Sequence, residues 1–259
     1  MKTMTAAWLS SAHNLVQQKY WWFIAAAAML WVLNPFVGTI VFFAVLLMAC
    51  SQDGPSRGAR LVVYAFASAY AGLVAFTQGS TGLIPRDAYR YYAIYSIVAD
   101  APSINLKNEL LAGYVPVFNA MQLFLARVCH FPPQSLSLAS VMGTMFFFSL
   151  GFSRLSRRIS ASPADEILLI LAAFLLAFNL SQTGELFKQF LANSLFFYSF
   201  ALLADGSPFF VLAMLASIGC HNSAFMFLLL LPLARMKSIR RNGIVLVVAI
   251  FLTAIVAVV

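Results

Sequence analysis

Apolar residues in this chain form ten runs that are separated by short polar or charged segments. In lipid, backbone of this kind satisfies its hydrogen bonds only as a helix, because no water reaches the hydrocarbon. Several runs are shorter than the ~20 residues that one straight helix needs to cross a ~30 Å core, so charge has to decide the topology. The pattern predicts an all-α fold. The runs cover about residues 20–33, 36–50, 61–77, 113–126, 137–153, 167–180, 190–204, 209–220, 222–233 and 243–259.

The composition predicts an integral membrane protein. Hydrophobic residues make up 62% of the sequence and charged residues 9%, with a mean hydropathy of +0.89, whereas a soluble domain has roughly 25% charged residues. The net charge of +8 comes from basic residues between the apolar runs, which is typical of membrane topology and not of nucleic-acid binding. The sequence has no nucleotide-binding glycine loop and no zinc-ligand spacing, so an ATP-driven pump is not favoured.

Basic residues indicate which segments face the cytoplasm. The densest basic segments, 154–158 and 235–241, belong inside by the positive-inside rule. The same rule places Arg57 and Arg60 inside. Eleven basic residues then lie inside and five outside, and no arrangement separates them better. The outer ones are Arg86, Arg90, Lys107, Arg127 and Lys188.

This topology predicts one polytopic membrane domain over residues 1–259 with about nine crossings. Residues 78–136 form a large outer region. Within it, run 113–126 is expected to be a re-entrant or interfacial helix rather than a crossing, because both of its flanks are outside.

A polar break interrupts the apolar segment 209–233. His221, Asn222 and Ser223 stand together in it, and an ionisable group at membrane depth is costly unless it faces a cavity or a partner. A turn at His221, eased by Gly219, puts both basic segments on the same side and the break near the outer face. We expect Asn222 and Ser223 to cap the helix that follows. The other interpretation is a packing histidine bonded to a neighbouring helix.

The outer region contains a striped segment, "IPRDAYRYYAIYS". On a helix that begins after the proline, Asp87, Tyr91 and Tyr95 share one stripe, while Arg86 and Arg90 form another beside it. Aromatic rings with hydroxyl and charged neighbours suit a sugar. An interfacial helix with a tyrosine belt and arginines at lipid phosphates has the same pattern.

Two further polar clusters are predicted on the outer side. Glu109 precedes an apolar segment that ends at Arg127, and a carboxylate there also suits a helix N-terminus. In "SQTGELFKQFLANS", Glu185, Lys188 and Gln189 fall on one helical face. Glu185 and Lys188 also have the spacing of a helical ion pair, and Lys188 that of a snorkelling lysine.

These stretches, in this order, resemble the Wzy-like, EpsG-type family of bacterial exopolysaccharide and O-antigen polymerases. The matching motifs are "RDAYRYYAIY", "ELLAGYVPVFNAMQLFLA", "KQFLANSL" and "CHNSAF", which together span about residues 80–233. The chain departs from the family at Lys188, where an arginine is typical. A lysine lacks the two-pronged hydrogen bonding that an arginine offers to phosphate. It also reaches Val259 inside an apolar run, so we expect either a short member or one with further helices.

The resemblance implies transfer of glycan repeat units from undecaprenyl pyrophosphate at the outer face of the bacterial inner membrane, without a metal or another cofactor. The expected partners are the lipid-linked glycan, membrane lipids and, in the same pathway, a chain-length regulator and a flippase. No nucleic acid is expected. Cations must meet the pyrophosphate, and a base must accept the proton of the incoming hydroxyl. The candidate bases are His221, which we place first, Asp87 and Glu109; the candidate substrate-binding residues are Lys188, Gln189, Arg90, Arg86, Arg127, Tyr91, Tyr95, Glu185 and Asn222.

Three other functions fit parts of the pattern. A polyprenyl-linked glycosyltransferase that moves one sugar uses similar groups. A membrane acyltransferase also uses an intramembrane histidine, although its donor is commonly cytoplasmic. A transporter or flippase for the lipid-linked glycan would line its pathway with a broken helix, but no internal repeat supports pseudo-symmetric halves.

Overall fold

The computed structural model of the chain describes residues 21–50, 55–80, 86–102, 105–158, 162–182 and 187–230. These residues form helices with no β-strand among them, which confirms the predicted all-α fold. The α-helices are α1 (Trp21–Leu33), α2 (Pro35–Cys50), α3 (Arg57–Ser80), α4 (Arg86–Asp100), α5 (Leu106–Leu111), α6 (Pro116–Leu123), α7 (Ser135–Arg158), α8 (Pro163–Gln182), α9 (Phe187–Ala204) and α10 (Phe210–Cys220).

Run 113–126 does not form the single helix expected from its apolar pattern. A 3₁₀ turn over Ala112–Tyr114 contains Gly113 at φ 62°, a left-handed conformation that ends a helix. The chain re-enters a helix at Pro116, whose fixed φ suits a first helical position. The resulting α6 has 8 residues and is about 12 Å long. It passes into a π-helical turn over Phe124–Val128.

Helices α7 and α9 run in the same direction at the centre of the bundle. Near one end Gly143 lies against Leu191, and further along both helices Gly151 lies against Phe197. Because the contact moves toward the C-terminus of both helices at once, the N-termini of α7 and α9 lie at the same end of the bundle. The C-termini share the other, where Arg154 pairs with Asp205 at 2.9 Å.

Helix α10 returns along α9 in the opposite direction. The hydroxyl of Ser199 donates to the carbonyl of Phe210 at 2.8 Å, and that of Ser217 donates to the carbonyl of Ala192 at 2.6 Å. The carboxyl end of α10 therefore lies beside the start of α9. This antiparallel pair brings His221 back to the end where α7 and α9 begin.

The opposite end of the bundle carries all four ion pairs found among the described residues. Asp205 is surrounded by three arginines from the last turns of α7. Glu166, at the start of α8, is 2% exposed there. Its carboxylate accepts from Arg60 at 2.9 Å, from Tyr64 at 2.9 Å and from Ser156 at 2.6 Å, which joins α8 to α3 and α7. The three arginines are Arg154, Arg157 and Arg158.

Two of the described helices are long and apolar enough to cross a membrane by length and composition, at Arg57–Gln78 and Ser135–Arg158. Three shorter apolar helices, α1, α2 and α10, accompany them. Helices α1 and α2 meet in a turn at Asn34, where Gly38 lies against Trp31 and the Asn34 side chain accepts from the amide of Val37 at 3.2 Å. The figure of about nine crossings stays a prediction.

Replacing Glu166 with alanine should destabilise the bundle, because Arg60 would remain buried without its partner. Removing one member of a buried pair costs about 3–5 kcal/mol. The measurement is the thermal unfolding midpoint of the purified chain in detergent. Asp165→Ala is the matched control, since Asp165 is exposed and its carboxylate accepts from Ser162 at the first turn of α8. Equal losses in the two variants would contradict a structural role for the Glu166 network.

Candidate functional site

Four parts of the fold meet at the end of the bundle opposite the arginine cluster. They are the start of α4, the start of α6, the start of α9 and the break that follows α10. The side chains at their junction are Tyr91 from α4, Phe118 from α6, Lys188 from α9 and His221 from the break. We call these four residues the cation–imidazole cluster.

The ammonium of Lys188 lies over two neighbouring aromatic rings. Its Nζ lies 4.9 Å from the centroid of the Tyr91 ring and 4.9 Å from that of Phe118. The rings are 6.0 Å apart and tilted by 57°, so both present electron density to the ammonium. No carboxylate pairs with Lys188 in the described part of the chain. The guanidinium of Arg90 is close enough to repel the ammonium.

His221 lies in the break, outside the helices on either side. Its backbone is extended, at φ −157° and ψ 134°, and its amide donates to the carbonyl of Ser217. The chain resumes as a 3₁₀ helix over Asn222–Leu230. The break expected from the sequence is therefore present, and His221 is its central residue.

The cap of that 3₁₀ helix differs from the expectation. Asn222 and Ser223 were expected to cap it with their side chains. Instead, the amide of Ser223 donates to Nδ1 of His221 at 3.2 Å, and the amide of Ala224 donates to the His221 carbonyl at 3.1 Å. The extended backbone of His221 lets its ring reach the first free amide of the 3₁₀ helix, so the imidazole takes the place of the expected Asn222 and Ser223 side chains as acceptor. Asn222 is exposed.

Burial, and then the positive charge of Lys188, lower the pKa of His221 below its ordinary value. The ordinary value is about 6.5, so the imidazole is neutral at pH 7. The effect also indicates that Lys188 and His221 belong to one electrostatic site. A neutral imidazole beside an ammonium gives this end of the bundle a proton acceptor and a cation together.

A close contact between α6 and α10 holds the break in place. Gly219 lies against Val117, and a methyl carbon at position 219 would come within 2.5 Å of the Val117 Cγ2 atom. Phe118 is the next residue of α6, and His221 follows Gly219 by two residues. This contact therefore holds the Phe118 ring and the His221 imidazole in position relative to each other.

Glu109 lies on the short helix α5, which is fastened to α6 by one amide side chain. Nδ2 of Asn119 donates to the carbonyls of Glu109 at 2.9 Å, Leu110 at 3.3 Å and Ala112 at 2.8 Å. The Glu109 side chain is half-buried. Asn119 thus holds the segment that carries Glu109 against the helix that supplies Phe118.

Tyr95 and Arg127 lie away from the cation–imidazole cluster. Tyr95 is 1% exposed and its hydroxyl donates to the carbonyl of Phe131 at 2.9 Å. Arg127 donates to the carbonyl of Ala101, just past the end of α4. That end lies about 15 Å along α4 from Arg90. Both side chains tie α4 or the residue after it to the segment before α7, and Tyr92 ties α4 to α7 itself through its hydrogen bond to Ser137.

Not every predicted site residue falls within the described structure. Glu185 lies outside the described residues, and the side chains of Arg86 and Asp87 lie outside them as well. Arg90 and Asn222 are exposed, while Gln189 is half-buried beside Lys188.

Sequence reasoning missed Phe118, Asn119 and Ser223. In the sequence Phe118 looks like any other apolar core residue. Its contact with Lys188 depends on the turn at Gly113, which directs α6 toward the start of α9. Asn119 carries a usable signal, because a polar amide three residues after a helix-starting proline has to find partners. Ser223 was assigned to a cap, and its contact with His221 depends on the rotamer of the imidazole.

The arrangement offers a cation for an anionic substrate group and a neutral imidazole for proton transfer. No group of three or more metal-ligating side chains occurs among the residues described.

The apolar helices and the composition define an all-helical membrane protein. The model of the EpsG family matches residues 63–259, about three quarters of the chain, and the chain belongs to this family. The resemblance drawn from the sequence motifs is thereby confirmed. The family is associated with polysaccharide-polymerase, glycosyltransferase-like activity. No curated protein and no solved structure matches the chain.

Replacing Gly219 with alanine should destabilise the contact that positions the cluster. Its methyl group would overlap Val117, and overpacking costs about 1–3 kcal/mol. Adding Val117→Ala should recover part of the loss, because it removes the nearest carbon. Thermal unfolding of the two single variants and the double variant measures this coupling. Gly58→Ala, at an open position in α3, is the control. Additive losses without recovery would contradict the contact.

Proposed function

We propose that this chain is a polysaccharide polymerase that transfers undecaprenyl-pyrophosphate-linked repeat units onto a growing glycan. It would act as one multi-pass domain in the bacterial inner membrane, with its site at the outer face and without a metal. A flippase would deliver its substrate and a chain-length regulator would limit its product.

The charge distribution supports this orientation. The arginines around Asp205 lie at one end of the bundle, and the cluster lies at the other. The two ends are separated by the length of α9, 18 residues or about 27 Å, which is close to the ~30 Å of a hydrocarbon core. With the arginine end in the cytoplasm, the cluster reaches the outer face.

The observation that carries the proposal is Lys188, which lies over the rings of Tyr91 and Phe118 and has no carboxylate partner among the residues that the structure describes. A cation that lacks a carboxylate is suited to an anion supplied by the substrate. Cleavage of the sugar–pyrophosphate bond builds negative charge on the leaving group, and a fixed cation beside it stabilises the transition state. Arg90 adds a second cation at the rim. We assign the pyrophosphate to these two residues.

The imidazole of His221 is the base in this proposal. As the bond to the carrier breaks, the sugar gains oxocarbenium-like character, and the acceptor hydroxyl attacks the anomeric carbon. A neutral imidazole has a pKa suited to accept that proton near neutral pH. Glu109 and Asp87 would orient the acceptor through its hydroxyls.

The other predicted substrate-binding residues make no described contact with the four residues of the cluster. Gln189, Asn222 and Glu185 would line the sugar-binding region around Lys188. The positions of Tyr95 and Arg127 favour a structural role over the substrate contact first expected, since both are engaged with backbone carbonyls. Arg86 stays a proposed phosphate contact.

Lys188→Ala should abolish polymer synthesis, with a loss of about 10²–10³ in rate if the cation stabilises the leaving group. Lys188→Arg should retain activity, because a guanidinium keeps the charge and also stacks on aromatic rings. The measurement is polymer yield, together with the level of lipid-linked repeat units, in a strain that lacks the native chain.

Lys107→Ala is the matched control, because Lys107 is an exposed lysine of α5. It should leave polymer synthesis unchanged. Equal tolerance of alanine at positions 188 and 107 would indicate that Lys188 only snorkels to the headgroups. Transfer of one sugar without polymer growth would favour a simple glycosyltransferase instead.

A further inference from the structure

The hydrogen bonds of His221 determine which ring nitrogen carries the proton. Nδ1 receives the backbone amide of Ser223 at 3.2 Å and lies 2.8 Å from the Ser223 hydroxyl oxygen. A backbone N–H only donates. Nδ1 must therefore be the unprotonated nitrogen of the neutral ring, and Nε2 carries the hydrogen.

This tautomer restricts the way in which His221 accepts a proton. Nε2 is already protonated, and Nδ1 has one lone pair, which points at Ser223. The Ser223 hydroxyl, as the nearer of the two donors, points its hydrogen at that lone pair. A substrate hydroxyl that delivers its proton to His221 therefore meets the Ser223 oxygen first.

We propose that Ser223 is a catalytic residue that relays the proton of the acceptor hydroxyl to His221. The acceptor O–H bond breaks and its oxygen bonds to the anomeric carbon, while the bond from that carbon to the carrier pyrophosphate breaks. The acceptor proton passes to the Ser223 oxygen as the Ser223 proton passes to Nδ1. The pyrophosphate leaves with the electron pair of the broken bond, and the imidazolium afterwards releases its proton to solvent.

The surroundings of Ser223 suit this role. Ser223 is half-buried and follows the exposed Asn222, so the residue lies at the solvent-exposed boundary of the break. Burial and then the charge of Lys188 disfavour a positive imidazole by lowering the pKa of His221, so the imidazolium readily gives up its proton once the negative pyrophosphate has departed. The relay rests on the proposed function, but the tautomer does not.

The tautomer is tested by nitrogen NMR of the full chain in lipid nanodiscs, with ¹⁵N-labelled imidazole and with His221→Gln to assign the signals. At pH 7 the expected result is a protonated Nε2 and an unprotonated Nδ1 for His221. The opposite tautomer would overturn the relay, because Nδ1 would then donate and Nε2 would be the free base.

The catalytic role is tested by pulse-labelling the sugar of lipid-linked repeat units and chasing the label into polymer in membrane vesicles of the producing strain. Ser223→Ala should slow the chase about 10²-fold, within the range for proton-transfer catalysis. Ser223→Thr, which keeps a hydroxyl, should stay within several-fold of wild type. Ser207→Ala, at the arginine end of the bundle, is the control for loss of a half-buried serine.

A wild-type rate in Ser223→Ala would overturn the relay while leaving the proposed function intact. Equal slowing in the alanine and threonine variants would also overturn it, because the hydroxyl would then not matter. If wild-type vesicles moved no label into polymer, the proposed function would fall and the relay with it, whereas the tautomer would still be decided by NMR.

Discussion

The candidate site is built on one interaction, the placement of the Lys188 ammonium over the adjoining rings of Tyr91 and Phe118. Cation–π contacts stabilise an ammonium by about 0.5–2 kcal/mol, whereas withdrawing an ion from water costs several kcal/mol. The rings therefore hold the charge in position without neutralising it. A negatively charged substrate group would offset the remaining cost of removing the ammonium from water, so the cluster suits a pyrophosphate.

The rest of the bundle keeps this ammonium beside an imidazole. The parallel pair of α7 and α9 sets the direction of the fold, and α10 returns along α9 to bring His221 to the same end. At the other end, Glu166 and Asp205 gather the arginines that neutralise them. One end is thus internally paired, and the other is left with cations that have no described carboxylate partner. This division of charge separates the internally paired end from the end that contains the candidate site.

Much of the scaffold could be predicted from the sequence, because apolar runs and turn residues act locally. Helices α1–α3 and α7–α10 follow those runs, α4 follows the stripes after Pro85, and the break at His221 follows from three polar residues in an apolar segment. Other features depend on contacts between distant residues. Nothing in the apolar pattern distinguishes Phe118 from a core residue, and the division of run 113–126 follows from the left-handed conformation at Gly113. The cap from the His221 ring depends on a rotamer that no sequence pattern specifies.

Cysteine labelling tests most directly whether the cation–imidazole cluster lies at the outer face. In a chain with alanine at Cys50, Cys129 and Cys220, Asn222→Cys and Arg157→Cys place one thiol at each end of the bundle, both at exposed positions. A membrane-impermeant maleimide on intact spheroplasts should label Cys at position 222 and reach position 157 only after permeabilisation. Labelling of position 157 alone in intact cells would place the cluster in the cytoplasm and contradict the account.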